Sequence, residues 1–192
     1  MHGRERRKRS TRRALRSAVL ELGLERGWAE VRVEEVAERA GVSARTFFNY
    51  FETKEDAALL DLFVVPDDEL AALEGPAPRL WHALTELFTA DVERLGGDGA
   101  DVPRFMELQR RNPGLQARQM GVFTLFEGRL SSAIAARLPD DRDGRLRAGL
   151  MSGACITAVR VGLQAWTAGG WQGPPGADVR DAFGLLAPAF AR

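Results

Sequence analysis

The chain has 192 residues, of which 45% are hydrophobic and 28% are charged, and its 27 Lys and Arg balance its 27 Asp and Glu. This length and composition fit one or two globular domains with a substantial hydrophobic core. The single cysteine, Cys155, excludes an intramolecular disulfide, and two histidines argue against a histidine-based metal or catalytic site. We therefore expect no enzyme, no catalytic residue, no metal and no cofactor. No export signal follows the basic start, so we expect a cytoplasmic protein without a membrane partner.

The balanced total hides a strong charge asymmetry. Residues 1–16 contain eight basic side chains against Glu5 alone, a net charge of +7, so the rest of the chain carries −7. A basic arm on an acidic body indicates that one end meets a polyanion. A solvated tail that only aids solubility explains the same charges equally well.

Helical spacing recurs along the chain and strand signals are scarce, so the predicted fold class is all-α with about nine helices. Thr11 is the predicted N-cap of the first helix, and Gly27 its predicted end. Ser43 and Thr53 are predicted N-caps of the third and fourth helices, and Pro66 ends or bends the fourth. The later helices are expected over about 80–95, 102–111, 115–138, 145–168 and 178–191.

Residues 33–52 fit a helix-turn-helix. Such a motif needs a small residue where its two helices cross, and Ala37 meets that need. It also needs a residue that tolerates a left-handed backbone at the turn, where Gly41 lies. An ordinary helical hairpin is the alternative. The basic start, Lys54 and an aromatic Phe48 that points away from the apolar face favour binding to DNA.

On this window, with the strings Gly41-Val42-Ser43, Thr46-Phe47-Phe48-Asn49-Tyr50-Phe51 and Thr53-Lys54-Glu55-Asp56, the chain resembles the TetR/AcrR family of transcriptional regulators. The likeness covers residues 11–63. It implies an N-terminal three-helix DNA-binding domain and a C-terminal helical ligand-binding and dimerisation domain. The expected boundaries are a disordered basic arm at 1–10, a helix-turn-helix domain at 11–54 and a helical body at 55–192.

The resemblance also implies roles by position. Ala44, Arg45 and Phe48 fall where base edges are read, and a bidentate bond from Arg45 to guanine is the physical expectation. The phosphate-contacting positions are Thr46, Asn49, Tyr50 and Lys54, and the helix start at Thr53 can offer backbone N–H groups to a phosphate. Ser43 is a further expected DNA-binding residue. Arg32 stands where the family usually has a Thr N-cap, and either contacts a phosphate or pairs with Glu35. The arm either enters a minor groove or adds affinity through released counterions.

In the body, the resemblance implies a homodimer on a palindromic operator in double-stranded DNA and a small-molecule inducer. The last two long helices supply the expected dimer interface, with Gly149, Gly153, Ile156, Val179, Phe183, Leu186 and Phe190. Packing of these helices only within one subunit is the alternative. The expected lining of the inducer pocket is Trp81, Leu84, Phe88, Phe105, Met120, Phe123, Phe126, Glu127 and Arg160. Residue by residue, plain core packing explains these side chains better.

Two finer expectations concern charge in the body. Glu127 sits in an apolar helix, and Arg160 is its expected partner, either as a structural ion pair or as a polar anchor for ligand. Arg110 and Arg111, in a string similar to a mycofactocin-type subgroup, would meet the acidic headgroup of an acyl-CoA, or would simply complement a helix end. The sequence thus predicts a repressor released by a hydrophobic ligand. The alternative is a ligand-independent activator or architectural DNA-binding protein.

Overall fold

The structure, a computed structural model, describes residues 2–96 and 101–190. Its described part contains helices and no strand, which confirms the all-α prediction. Two 3-10 turns cover Trp28–Glu30 and Ala187–Phe190. The α-helices are α1 (His2–Arg26), α2 (Val33–Arg39), α3 (Ala44–Phe48), α4 (Lys54–Ala58), α5 (Asp67–Ala71), α6 (Ala77–Gly96), α7 (Asp101–Arg111), α8 (Pro113–Ala135), α9 (Arg142–Ala168) and α10 (Gly176–Leu186).

The chain divides into two compact units. The first combines the described residues within Met1–Leu60 and Asp98–Gln119, and the second combines those within Asp61–Gly97 and Met120–Arg192. The predicted helix-turn-helix segment 11–54 lies inside the first unit. This division differs from the predicted boundary at residue 54, because α7 and the start of α8 join the first unit.

Helix α1 forms the core of the first unit. Its buried face carries Leu15, Val19 and Leu22, at the spacing of an amphipathic helix. On the same helix, a Cβ at Gly23 would lie 3.0 Å from a methyl carbon of Leu108, so the glycine allows α7 to approach closely. The Ser17 hydroxyl also donates to the buried Asp101 carboxylate at 2.8 Å. These contacts explain why α7 belongs to this unit.

The start of α1 corrects the prediction for the arm. The helix runs without interruption from His2 to Arg26, so the described residues of the expected disordered arm 1–10 are helical. Thr11 lies inside the helix and is not its N-cap. The predicted stop is confirmed, because α1 ends before Gly27, whose φ of 91° is a left-handed conformation that glycine adopts without a steric penalty.

The fourth helix is shorter than the apolar spacing predicted. Helix α4 ends at Ala58, and Phe63 has a φ of 62°, which no α-helix contains. In the first unit, the Leu59 carbonyl accepts a bond from the Arg16 guanidinium at 2.9 Å. In the second unit, the Phe63 N–H donates to the buried Asp91 carboxylate at 2.8 Å. These side chains replace the helical partners of the backbone, and tertiary bonding therefore overrides the local pattern.

The second unit is built around α6, α9 and α10. Trp81 on α6 packs its ring 5.1 Å from that of Phe183 on α10, and its indole N–H donates to the Phe183 carbonyl. Helices α9 and α10 approach closely at Gly162, where a Cβ would lie 2.5 Å from the Val179 Cα. A side chain at this position would push the helices apart.

Helix α9 is long and apolar enough to cross a membrane by length and composition alone. Half of its most apolar window is buried inside the structure. The buried residues include Ser152, whose hydroxyl donates to the Glu127 carbonyl of α8 at 2.8 Å. These features are those of a core helix.

Candidate DNA-binding surface

The turn between α2 and α3 is fixed by its backbone. Gly41 has a φ of 70°, its N–H donates to the Glu38 carbonyl at 3.0 Å, and the Val42 N–H donates to the Ala37 carbonyl at 2.9 Å. These two bonds form a Schellman motif, which ends a helix with a glycine in the left-handed region. Ala37 is buried where the helices meet. The crossing predicted from Ala37 and Gly41 is thus confirmed.

Side-chain caps start the next two helices, as the sequence predicted. The Ser43 hydroxyl accepts from the Thr46 N–H at 3.1 Å, and the Thr53 hydroxyl accepts from the Asp56 N–H at 3.1 Å. The Ser43 and Thr46 hydroxyls also bond each other at 2.9 Å. Each cap satisfies a backbone donor that the first helical turn leaves without an internal partner. The caps set where the short recognition helix α3 begins.

One face of α3 is presented to solvent. Arg45, Phe48 and Asn49 are exposed and, at spacings of three and four residues, lie on the same side of the helix. Phe48 is 58% exposed, which is unusual for so large an apolar ring. Within the described residues, no hydrogen bond or ion pair holds the Arg45 guanidinium. Arg45 and Phe48 on this face carry a fork-shaped donor and an apolar ring, groups that read base edges, while the Asn49 amide is suited to a phosphate.

The opposite face of α3 anchors it to the unit. Phe47 is fully buried and packs between the rings of Phe48, at 5.5 Å, and Phe51, at 5.8 Å. From α1, the Arg12 guanidinium lies 4.4 Å over the Phe51 ring and donates to the Tyr50 carbonyl at 3.2 Å. The sequence did not indicate this structural role of Arg12, because its positive charge suggested only a contact with a polyanion.

Lys54 has a structural role that the sequence did not indicate. Its ammonium donates to the carbonyls of Trp28, at 2.9 Å, and Val31, at 3.0 Å, and lies 5.0 Å over the Trp28 ring. A lysine has three N–H donors, so one remains for a phosphate. Lys54 therefore ties the start of α4 to the turn before α2.

Asp56 closes the cap of α4 with a second set of bonds. Its carboxylate accepts from the Thr53 hydroxyl at 2.7 Å and from the Arg118 guanidinium at 2.9 and 2.5 Å. Partial burial raises the pKa of Asp56, but the bonds from Thr53 and Arg118 outweigh it, so the pKa lies below the ordinary value. The carboxylate is therefore ionised at neutral pH and complements the helix N-terminus.

Arg32 occupies the N-cap position of α2 without making a cap bond, and its side chain is exposed. The alternative pairing with Glu35 is not seen, because Glu35 bonds Arg26 at 2.8 Å. Among the remaining predicted phosphate contacts, Tyr50 and Thr53 are half-buried at the end of the same surface.

Most residues predicted for the ligand pocket form closed core in the second unit. The rings of Phe88, Phe123 and Phe126 pack around Phe63, with centroids 5.0 to 5.5 Å from it. We call these four residues the aromatic cluster. The sequence missed Phe63, because its apolar spacing suggested a helix. Leu84 and Trp81 are buried as well.

Three of the predicted pocket residues lie elsewhere. Phe105 is buried in the first unit, which does not contain the cluster. Met120 is 44% exposed and Arg160 is also exposed. The expected partnership of Glu127 with Arg160 is wrong, because Arg160 bonds Gln164 at 3.3 Å. Within the described residues, no ion pair joins it to Glu127.

Arg110 and Arg111 both form ion pairs with the Glu107 carboxylate. Glu107 accepts from Arg110 at 3.0 Å and from Arg111 at 2.7 Å, all within the first unit. Bonds from Arg110 and Arg111 lower the pKa of Glu107 to about 2. Neither a ligand headgroup nor the helix dipole is needed to explain the two arginines.

The predicted dimer residues lie on the correct helices but mostly face inward. Ile156, Val179, Phe183 and Phe190 are buried within their own unit, which corrects the expectation that they face a partner. Gly153 and Leu186 are half-buried, and only Gly149 is exposed. The exposed large apolar side chains on α9 and α10 are instead Leu146, Leu150, Val161 and Leu185.

Comparisons with known proteins identify this arrangement. Residues 15–58 match the model of the bacterial regulatory proteins of the tetR family. The HTH-type transcriptional regulator TcmR of Streptomyces glaucescens is 36% identical over 173 residues, covering 85% of this chain and 76% of TcmR. The chain belongs to the TetR family. It is therefore a TetR-family transcriptional regulator, and its helix-turn-helix is the DNA-binding motif of that family.

Solved structures agree with this TetR-family fold. The chain superposes on NalD, the secondary repressor of the MexAB-OprM multidrug efflux pump of Pseudomonas aeruginosa, with a TM-score of 0.57, 19% identity and 96% of each chain covered. It superposes on Bacillus subtilis FadR in complex with stearoyl-CoA with a TM-score of 0.52 and 18% identity, covering 91% of this chain and 96% of FadR. At these identities the likeness concerns the fold alone.

Proposed function

We propose that this TetR-family chain is a cytoplasmic repressor that binds a palindromic operator as a homodimer and leaves it when a small hydrophobic ligand binds. The observation that carries the proposal is the outward face of α3. Arg45, Phe48 and Asn49 stand in solvent on a helix whose other face, turn and cap are held rigidly. A preformed face of this kind suits the major groove, which admits an α-helix.

Each exposed side chain of α3 has a matching target. The Arg45 fork donates to O6 and N7 of one guanine, and the Phe48 ring packs on a thymine methyl group. Ala44, half-buried at the start of the helix, lets the backbone approach the bases. Ser43, Thr46, Asn49, Tyr50, Thr53 and Lys54, together with Arg32, are the proposed phosphate contacts, which fix the position of the helix without reading sequence.

A homodimer follows from the small number of bases that one helix reads. Its proposed interface is the exposed side of α9 and α10. Leu146 and Leu150 are one turn apart on α9, and Leu185 on α10 is 85% exposed. Exposed leucines on two packed helices are costly in water and gain by facing a second copy. Gly149, exposed beside Leu150, allows close approach there.

The proposed ligand site is the aromatic cluster. Phe63 is held at a φ of 62°. This left-handed conformation costs a residue with a Cβ about 1–2 kcal/mol. A hydrophobic ligand that replaces its ring among Phe88, Phe123 and Phe126 would keep the apolar contacts and release that strain. Thr89, buried in the same unit with no partner for its hydroxyl among the described residues, offers a hydrogen bond to a ligand.

The closed packing of the cluster also favours the alternative function. A DNA-binding protein without an inducer needs no cavity, and rings that already fill their space provide none. The ligand part of the experiment below separates the two functions.

The test is a footprint on DNA from just upstream of the chain's own gene, repeated with a panel of hydrophobic compounds that includes acyl-CoAs. We expect a protected palindrome and a compound that lowers the affinity for it. A protein that binds DNA without a defined footprint, in this region or in a genome-wide selection of fragments, would contradict the proposal. A footprint that no compound weakens would favour the ligand-independent function.

A further inference from the structure

Helix α1 continues far beyond the core of its unit. The helix begins at His2, but among its described side chains the first fully buried one is Leu15. Between them the helix has strong positive charge, and we call residues 2–10 the basic extension. Its exposed cations are Arg4, Arg6, Arg7, Lys8 and Arg9. This density of positive charge on one helical segment is typical of proteins that bind a polyanion.

Arg12 connects the basic extension to the recognition helix. Its guanidinium donates to the carbonyl of Tyr50, two residues after α3 ends, and lies over the ring of Phe51. The contact brings the end of α3 and this turn of α1 to the same edge of the first unit. Phosphates that flank the bases read by α3 would therefore lie near the extension.

The cations of the extension lie on different sides of the helix. At about 100° per residue, Arg4, Lys8 and Arg12 form one row along α1, each four residues from the next. Arg6 and Arg9 lie about 160° and 100° around the helix from Lys8. The row that ends at Arg12 leads from the end of α3, and Arg6 lies farthest from it, about 160° from Lys8 and 120° from Arg12. Arg9 lies about 60° from Arg12 but about 140° from Arg4, so it follows the row only at its Arg12 end.

We propose that the basic extension binds the DNA backbone as a helix, with Arg4 and Lys8 on phosphates beyond the bases that α3 reads. The inference rests on the proposed DNA-binding function and adds a second contact to it. A helix with its side chains is about 10–12 Å across, whereas the minor groove is about 6 Å wide, so a helical extension does not enter that groove. It lies against the backbone and adds affinity without sequence preference.

A matched pair of double variants tests the row. Arg4→Ala/Lys8→Ala and Arg6→Ala/Arg9→Ala remove the same charge from different sides of the helix. The measurement is affinity for the footprinted duplex against salt concentration. Each phosphate contact contributes about 0.9 to the slope, so the first variant flattens it by about 1.8 per bound protomer. When salt rises from 50 to 200 mM, the fold-loss in affinity per protomer is therefore about ten times smaller for this variant than for the wild type. The second variant keeps a nearly wild-type slope.

A proline tests the helix while every charge stays in place. Ser10→Pro removes one helical N–H and clashes with the carbonyl of Arg6, so it separates the extension from the rest of α1. The remaining helix then begins with a proline in its first turn, a position that tolerates it. We expect Ser10→Pro to show the flattened slope of Arg4→Ala/Lys8→Ala, and Ser10→Ala to match the wild type. Thermal unfolding of all variants checks that the first unit stays folded.

The outcomes separate this inference from the function on which it rests. Equal slopes for the two double variants, or a wild-type slope for Ser10→Pro, overturn the helical contact and favour a flexible arm. Either result leaves the footprint of the wild type intact. A wild-type protein that gives no footprint overturns the proposed function, and the contact of the extension with an operator falls with it.

Discussion

The two units differ in the solvent exposure of their phenylalanine rings. In the first unit, Phe47 is fully buried, while the adjacent Phe48 is 58% exposed on a rigid helix. In the second unit, the rings of Phe88, Phe123 and Phe126 pack against Phe63, and all four rings are buried. The first unit thus presents its DNA-binding face in the free protein. The second must rearrange if it is to bind a ligand in its core. The proposed release by a ligand needs both properties, because the ligand would act by changing the packing of the second unit.

The largest expected effect comes from the two adjacent phenylalanines. Phe47→Ala leaves a cavity in the first unit and should lower the free energy of unfolding by about 3–5 kcal/mol. Phe48→Ala should change it by less than about 0.5 kcal/mol, because the ring already stands in solvent. Chemical denaturation measures both. The same Phe48 variant should bind the operator several-fold more weakly. A large loss of stability in Phe48→Ala would show that the ring is not free for DNA.

The next effect distinguishes residues of the DNA-binding surface that contact bases from those that contact phosphates. Arg45→Ala should cost about 1–3 kcal/mol per half-site on the operator and little on unrelated DNA. Arg32→Ala removes the same charge from a proposed phosphate contact. It should weaken binding to all sequences alike and flatten the salt slope by about one. Titrations on operator and unrelated duplexes measure both. Equal losses on the two duplexes for Arg45→Ala would contradict its proposed role.

Phe63 provides the matching test in the second unit. Phe63→Ala and Phe63→Gly both delete the ring, but glycine tolerates the φ of 62°. The glycine variant should therefore be more stable than the alanine variant by up to about 1–2 kcal/mol, reduced by the entropy that glycine adds to the unfolded chain. Both variants should bind a small apolar probe such as benzene in the vacated space. An alanine variant more stable than the glycine variant would argue against the strain.

The smallest effect is a pH dependence in the first unit. The pKa of Glu107 is about 2 in the folded state against an ordinary 4.5, since Arg110 and Arg111 bond the carboxylate. Because the folded pKa is the lower one, the stabilisation is present above about pH 4.5 and is lost as the pH falls toward 2. Water and salt screen this exposed group, so the effect is small. Glu107→Gln should reduce the acid-induced loss of stability, while Glu86→Gln, which removes a carboxylate that pairs with one arginine in the second unit, serves as its control.

The helix-turn-helix could be predicted because its signals are local. Gly41, Ser43 and Thr53 each act within a few residues, through a left-handed turn or a bond to the nearby backbone. The end of α4 could not be predicted in this way. It depends on Arg16 and Asp91, which bond the backbone at Leu59 and Phe63 from 43 and 28 residues away. Helix α5 has a local signal in the proline and three acids at 66–69, which apolar spacing alone does not register.

The apolar helices of the second unit illustrate a different limit. Periodicity identified α9 and α10 as apolar, but both have apolar residues on more than one side. The pattern alone could not tell Phe183, which is buried, from Leu185, which is exposed. That distinction depends on which side packs on α6 through Trp81. The arm 1–10 is predicted as disordered, yet its described residues continue a helix whose later turns are anchored in the core of the first unit.

Whether the outward face of α3 reads DNA sequence can be measured by selecting bound duplexes from a random library, with the wild type and Arg45→Ala in parallel. We expect a two-fold symmetric sequence for the wild type, with one guanine in each half-site that Arg45→Ala no longer enriches. A wild type that enriches no sequence, or an Arg45→Ala variant that enriches the same guanine, would contradict this expectation.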